Sequence, residues 1–327
     1  EAMLAMCEFD PQRAFDSCDT LTRSDDPWLR AAASFFRAAI GGVLGRMDEV
    51  EADCRLALDQ FRVLGDAWGT AGSLVQLSEF AELRGEHQRA LDFLEEAMAC
   101  AQRLGAHTDM DQLGSKLVQI RVRMGDLAGA QAELDRARTV SASHPRSYDW
   151  SVLLTLMAAE LAWKTGDRPA AIEACNKAIA IQASDNSPWR AGMRALVRAR
   201  LAAILLEDDH DQNAAAGLLA RALEEAAGWV ERTTVAQIID VIAALTARRG
   251  TAQDHERAAL LLGAAHQVRG CFDEGSLDSL PVRDRAHRAL GDEAFAAAYQ
   301  RGRDLAYQDA ISVAAESAGT RETGRPV

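Results

Sequence analysis

The densest group of side chains able to do chemistry is Asp208, Asp209, His210 and Asp211, four consecutive residues that offer three carboxylates and an imidazole. Oxygen-rich sets of this kind bind hard divalent cations, but such an ion takes about six to eight ligands converging from an organised loop. Four side chains on one turn do not converge, so a solvated turn is expected and no metal site. Seven histidines are dispersed without a Ser-His-Asp or Cys-His grouping, which leaves no assembled nucleophile and base and predicts that the chain is not an enzyme. Six cysteines, Cys7, Cys18, Cys54, Cys100, Cys175 and Cys271, include no CxxC pair and no zinc-ligand spacing. Reduced thiols in a cytoplasmic protein are the expectation, with no cofactor. Arg190, Arg194 and Arg198 recur every fourth residue and so form a basic ridge on one helix face. An acidic ligand or partner would dock there unless carboxylates of adjacent helices, Asp185 or Glu224 for instance, already occupy it.

The elements that carry these residues repeat. The stretch 71–105 reads as two amphipathic helices about a turn at Gly85, with Leu74, Leu77 and Ala81 on one stripe and Ala90, Leu94 and Ala97 on the next. Taking Gly85 as a ruler, small or apolar residues at +5 and +12 recur: Val50 and Ala57 after Gly45, Ala130 and Ala137 after Gly125, Ala171 and Ala178 after Gly166. Two copies without the glycine continue the series, with Ala215 and Ala222 after His210, and Ala258 and Ala265 after Gln253. Trp28, Trp68, Trp150, Trp189 and Trp229 mark the starts of first helices at a compatible spacing. A two-helix unit of about forty residues, in which each unit buries its apolar face against its neighbours, is the signature of an α-solenoid.

Composition agrees. The chain has 327 residues, 48% hydrophobic but only 6% aromatic, which suits close helix packing through small side chains rather than a β-rich core. A net charge of −13 opposes direct binding to nucleic acid or an anionic membrane, since phosphate contact needs a concentrated basic surface. No apolar run is long enough to cross a membrane, and no signal-like segment opens the chain at Glu1. The first helix reads as half of a truncated repeat, which predicts a piece of a larger protein. The expected organisation is a superhelical repeat domain over 1–270, capping helices over 271–317 and a disordered tail over 318–327.

The repeat resembles the tetratricopeptide repeat (TPR), with Leu74, Leu77, Ser78, Gly85, Ala90, Leu94 and Ala97 on its motif positions. The tail, ERAALLLGAAHQVRG followed by ALGDEAFAAAYQRGRDLAYQDAISVA, resembles the end of large bacterial transcription regulators of the LuxR, MalT-like and antibiotic-regulator (SARP) groups. The resemblance implies an all-α, right-handed TPR-like solenoid of about six helix pairs with a C-terminal helical cap. It further implies a non-catalytic sensor that binds a protein, a peptide or a small molecule and controls attached ATPase and DNA-binding domains. No GxxxxGK[ST] phosphate loop or basic recognition helix occurs in this chain, so those activities would lie outside it. A stand-alone scaffold for protein assembly is the alternative.

In a TPR array the first helices line the inner wall. By the Gly85 alignment that wall holds Gly72, Val75, Glu79 and Glu82, then Gln112, Lys116, Gln119 and Val122, then Leu153, Leu156, Glu160 and Trp163, with Trp68 extending the stripe. The expected groove for a ligand or partner is therefore mixed: aromatic, acidic and basic.

Overall fold

The computed structural model describes residues 10–105, 107–143, 148–182, 188–208, 211–226 and 231–319. The fold is all-α and TPR-like: among the described residues there are sixteen helices and no strand. The chain divides into two compact units. Unit 1 is Glu1–Ala171 with Val230–Arg232 and Arg269–Ser276, and unit 2 is Ile172–Trp229 with Thr233–Val268 and Leu277–Val327.

Unit 1 opens with α1 (Pro11–Leu21), followed by the pairs α2 (Pro27–Val43) with α3 (Met47–Leu64), and α4 (Ala67–Leu83) with α5 (His87–Leu104). Then come α6 (His107–Met124), α7 (Leu127–Ser143) and α8 (Tyr148–Lys164), while α9 (Arg168–Ile181) runs across the boundary. Local chemistry sets these boundaries. Asp26 caps α2 by accepting the Trp28 and Leu29 amides at 2.9 and 3.1 Å, and Pro27 fills the first turn, where no intrahelical donor is missed. Asp66 repeats the cap on α4, taking the Gly69 amide at 2.7 Å. The Trp28 indole donates to that same Asp66 carboxylate at 2.8 Å, so this tryptophan ties one first helix to the start of the next. At the turn inside the second pair Gly85 adopts φ 71°, which a residue without a Cβ reaches freely, and the amides of Gly85 and Glu86 return to the carbonyls of Glu82 and Ala81.

The core follows the ruler. Val50, Ala57, Ala90, Ala97, Ala130, Ala137, Ala171 and Ala178 are all buried, as are Cys54, Leu94, Leu134 and Cys175 at the +9 position. Burial pushes the Cys54 thiol well above its ordinary range, and its Sγ sits 2.9 Å from Gln76 Oε1. These cysteines fill core positions as small apolar side chains do.

Unit 1 also takes in Arg269–Ser276, a segment that arrives far later in sequence. The Glu274 amide donates to the Leu83 carbonyl at the end of α4, at 2.8 Å. A Cβ on Gly270 would overlap the Gly45 carbonyl, and one on Gly275 would overlap the Glu82 carbonyl, so backbone meets backbone at the turns of both pairs.

Unit 2 contains α10 (Pro188–Leu205), α11 (Gln212–Ala226), α12 (Arg232–Arg248) and α13 (Ala252–Arg269), then α14 (Ser279–Leu290), α15 (Asp292–Arg303) and α16 (Tyr307–Ala318). The ruler holds here too, with Ala215, Leu219, Ala222, Ala258, Leu262 and Ala265 buried. The two tail segments quoted above form the two sides of one helix crossing. A Cβ on Gly263 of α13 would strike the Tyr299 carbonyl, and one on Gly302 of α15 would strike the Leu260 carbonyl. Beside the crossing His266 Nδ1 lies 2.6 Å from the Tyr299 hydroxyl. The end of α16 is held by two arginines: Arg249 donates to the Ser317 carbonyl at 2.9 Å, an acceptor that the helix end leaves open, and Arg257 donates to the Val313 carbonyl at 3.0 Å. Most of the expected tail, residues 320–327, lies outside the described residues.

Ala97 has no exposed surface and stands at the packed seam of α5. Ala97→Leu is expected to destabilise the protein by about 1–3 kcal/mol through overpacking. Chemical denaturation followed by circular dichroism measures it, and an unchanged midpoint would show that the seam has room for three more carbons.

Candidate functional site

The first helices of unit 1 gather an aromatic group at one end of the wall. Phe35 on α2 meets Phe36, Phe61 and Trp68 edge to face, with ring centroids 5.1, 6.4 and 5.6 Å away. Two mid-helix glycines make the cluster possible. A Cβ on Gly69 would enter the Phe61 ring, and one on Gly72 would press into the Phe35 ring. Glycine inside a helix costs about 1 kcal/mol relative to alanine, and here the return is direct contact of the rings with the α4 backbone.

These rings border a depression of about 250 Å³ lined by Phe35, Trp68, Gly72, Val75, Leu104 and Lys116, among others. Its rim is open: Trp68 is 44% exposed and Leu104 48%. Of the residues expected on the wall, Trp68, Gly72, Val75 and Lys116 meet at this depression. Two further lining residues stand outside the stripes named above: Leu104 comes from the second helix α5, and Phe35 from α2 of the preceding pair, ten residues before Gly45 as Val75 is before Gly85.

Next along α4 lies a charged stretch. Lys116 on α6 forms an ion pair with Glu79. Burial works against the Lys116 ammonium, but the carboxylates of Glu79, Glu82 and Glu231 outweigh it and raise its pKa above that of an ordinary lysine. Glu82, one turn beyond Glu79, has its pKa raised by burial, against the opposing pull of Arg123 and Lys116. Gln119 is half-buried on the same helix as Lys116. The Gln112 side chain lies outside the described residues. Glu160 and Trp163 on α8 are buried, and the Lys164 ammonium sits 3.8 Å from the Trp163 ring centroid.

The basic ridge is in unit 2 and is internally engaged. Arg194 is buried, and donates from Nε to Glu225 Oε1 at 3.2 Å and from Nη1 to the Gln182 carbonyl at 3.1 Å. Arg198 Nε donates to Glu225 Oε2 at 2.9 Å. The partner is thus Glu225 rather than the neighbouring Glu224 considered from sequence; Glu224 is exposed, and Asp185 lies outside the described residues. Arg190 is half-buried one turn earlier. Asp209 and His210 of the acidic turn also lie outside the described residues. Among the described residues no group of three His, Cys, Asp or Glu side chains is arranged to hold a metal ion, and no helix is long and apolar enough to cross a membrane.

Glu82→Gln removes a carboxylate that is harder to ionise in the folded chain than in the unfolded one. A raised acid pKa means that ionisation costs folding stability as pH rises through the folded-state value. The variant is therefore expected to melt higher than the wild type near neutral pH, with the gain vanishing below about pH 4.3, the ordinary glutamate value. Melting curves at both pH values check this, and a gain independent of pH would mean that the charge is not its source. In unit 2, Glu225→Ala leaves two guanidiniums without their shared acceptor and is expected to cost about 1.5–3 kcal/mol. Denaturant unfolding of this variant measures the loss.

No family model matches the chain, and no curated protein does. Solved structures share its fold. A Rap protein complexed with competence and sporulation factor has 13% identity and a TM-score of 0.62, with 97% of this chain and 84% of that one covered. The Rap conjugation gene regulator of plasmid pLS20, in complex with the Phr* peptide, has 13% identity and a TM-score of 0.54, covering 81% of this chain and 78% of that one. At such identity the likeness is one of fold, and that fold is the TPR-like helical repeat.

Proposed function

We propose that this chain is a non-catalytic recognition module that takes a peptide or a protein segment on the first-helix wall of unit 1. The observation that carries the reading is the open, aromatic-rimmed depression between Phe35, Trp68 and Leu104, with the Lys116–Glu79 pair at its far side. Exposed aromatic rings held rigid by their neighbours are what binding sites use as anchors, since they bury large area at little entropic cost. An apolar side chain of the partner fills the depression, and polar groups of its backbone meet the charged stretch.

The two Rap structures, each described in complex with a factor or peptide, support the reading by analogy of fold. The resemblance of the tail to LuxR, MalT-like and SARP regulators suggests the setting: a sensor region whose occupancy biases attached ATPase and DNA-binding domains in a cytoplasmic bacterial protein. Control of that kind requires a partner that binds one conformation of the array better than another.

Trp68 tests the site. Calorimetric titration of the purified chain against a library of short peptides is expected to yield binders, and Trp68→Ala is expected to weaken them at least tenfold, about 1.4 kcal/mol. Binding equally tight to the variant, with helicity intact, would place recognition elsewhere.

A further inference from the structure

The segment that crosses the turns of the first two pairs is met by a charged side chain from the groove-lining helix α6. Arg123 Nη1 donates to the Gly275 carbonyl at 3.4 Å and lies 3.9 Å from Asp273 Oδ1, while its Nε lies 3.9 Å from Glu82 Oε1. All three charged side chains are largely buried, with 12, 5 and 18% exposure for Arg123, Asp273 and Glu82. Neither carboxylate is at hydrogen-bonding distance of the guanidinium, which stands between them. Asp273 in turn accepts the Gly275 amide at 3.1 Å, so its position fixes the turn of the segment.

We propose that residues 270–276 form a releasable latch on the first two helix pairs, whose hold is set by how Arg123 divides itself between Glu82 of the groove wall and Asp273 of the latch. The segment is suited to local release. It carries no regular structure, and at the turns its backbone meets backbone at Gly270 and Gly275, with the Glu274 amide donating to the Leu83 carbonyl. Such a segment opens without unfolding the helices beneath it, because the buried side chains of those helices belong to a separate core. In a poorly screened site the competition of two carboxylates for one guanidinium is strong, so weakening either sends Arg123 to the other.

The direction follows. Neutralising Glu82 leaves Arg123 to Asp273 and tightens the latch. A cationic side chain of a partner, pairing with Glu82 from the groove, does the same; this consequence rests on the proposed recognition role, whereas the latch itself does not. Groove occupancy and latch closure are then coupled through Arg123, and the coupling is reciprocal.

Hydrogen exchange on the full 327-residue chain tests the latch without any ligand. The readout is exchange of the amides of residues 270–276, taken relative to the Leu94 amide in the core of α5, which reports general stability. Arg123→Ala is expected to speed latch exchange at least tenfold, and Arg123→Lys, which keeps the charge but loses the fork, to fall between it and the wild type. Gly275→Ala, whose Cβ overlaps the Glu82 carbonyl, is expected to release the latch fully. Glu82→Gln is expected to slow latch exchange at least threefold beyond any change at Leu94. Latch exchange that is unchanged or faster in Glu82→Gln, or unchanged in both Arg123 variants, overturns the proposal. Because no peptide takes part, failure here is distinct from failure of the Trp68 binding test.

Discussion

The close approach of helices through residues with little or no side chain is the constraint on which the rest of this structure depends. At a repeat seam the axes can draw together only where one helix offers alanine or glycine, and ridges then settle into grooves at the short end of the usual separation of about 8–10 Å. Ala57, Ala90, Ala97, Ala130, Ala171, Ala215 and Ala258 occupy those seams and are wholly or almost wholly buried. The same device reaches its limit in unit 2, where Gly263 and Gly302 let α13 and α15 touch backbone to backbone. Larger side chains must then go to the flanks of the seams or to the helix ends. The aromatic cluster of Phe35, Phe36, Phe61 and Trp68 is one such displaced group, and Gly69 and Gly72 admit its rings to the face of α4. What looks like a binding feature thus grows out of the packing rule.

That rule is also why so much of the fold is legible in the sequence. A seam needs a small residue at a fixed distance from each turn, so the +5 and +12 positions can be counted without knowing the structure, and they lead to buried residues in both units. Helix boundaries follow for similar local reasons, through Asp26, Asp66 and the glycine turns. The candidate site is legible only in part. Trp68, Val75 and Lys116 fall on one stripe because each lies on the inward face of a first helix. Phe35 completes the depression from the preceding pair, at the place before Gly45 that Val75 holds before Gly85, while Leu104 comes from a second helix, which the wall stripe does not include. Arg194 and Arg198 show the converse: their spacing is plain, but which carboxylate meets them depends on the roll of α11, which favours Glu225 over its neighbour by one step around the helix.

Electrostatics explain how an acidic chain keeps a defined wall. With net charge −13 the carboxylates outnumber the bases, and several arginines of unit 1 each meet two carboxylates: Arg37 lies between Asp19 and Asp53, Arg121 between Glu95 and Asp126, Arg123 between Glu82 and Asp273. A guanidinium with its five donors can serve two carboxylates at once, which a lysine does less well. Lys116, an ammonium on the same wall, is committed to Glu79 and the acidic groups around it. A partner meeting this wall exchanges one existing pair for another, so charge there contributes more to selecting the partner than to net affinity.

The latch segment departs from the logic of a repeat array. In such an array each unit couples to its neighbours, and stability is close to a sum of local and adjacent terms. Here the Leu83 carbonyl at the end of α4 finds its donor in Glu274, and the turn at Gly45 is covered by Gly270, both more than 180 positions away. Contacts at that separation carry a loop-closure cost that local contacts avoid, but the cost grows only slowly with length, so a short segment with backbone contacts and a buried guanidinium beside it can return to a distant turn. A hold of that size stays within reach of a single competing charge. The sequence offers no sign of it beyond the two glycines of GCFDEG, since what matters is where the chain returns, and a repeat read by its period contains no information about returns.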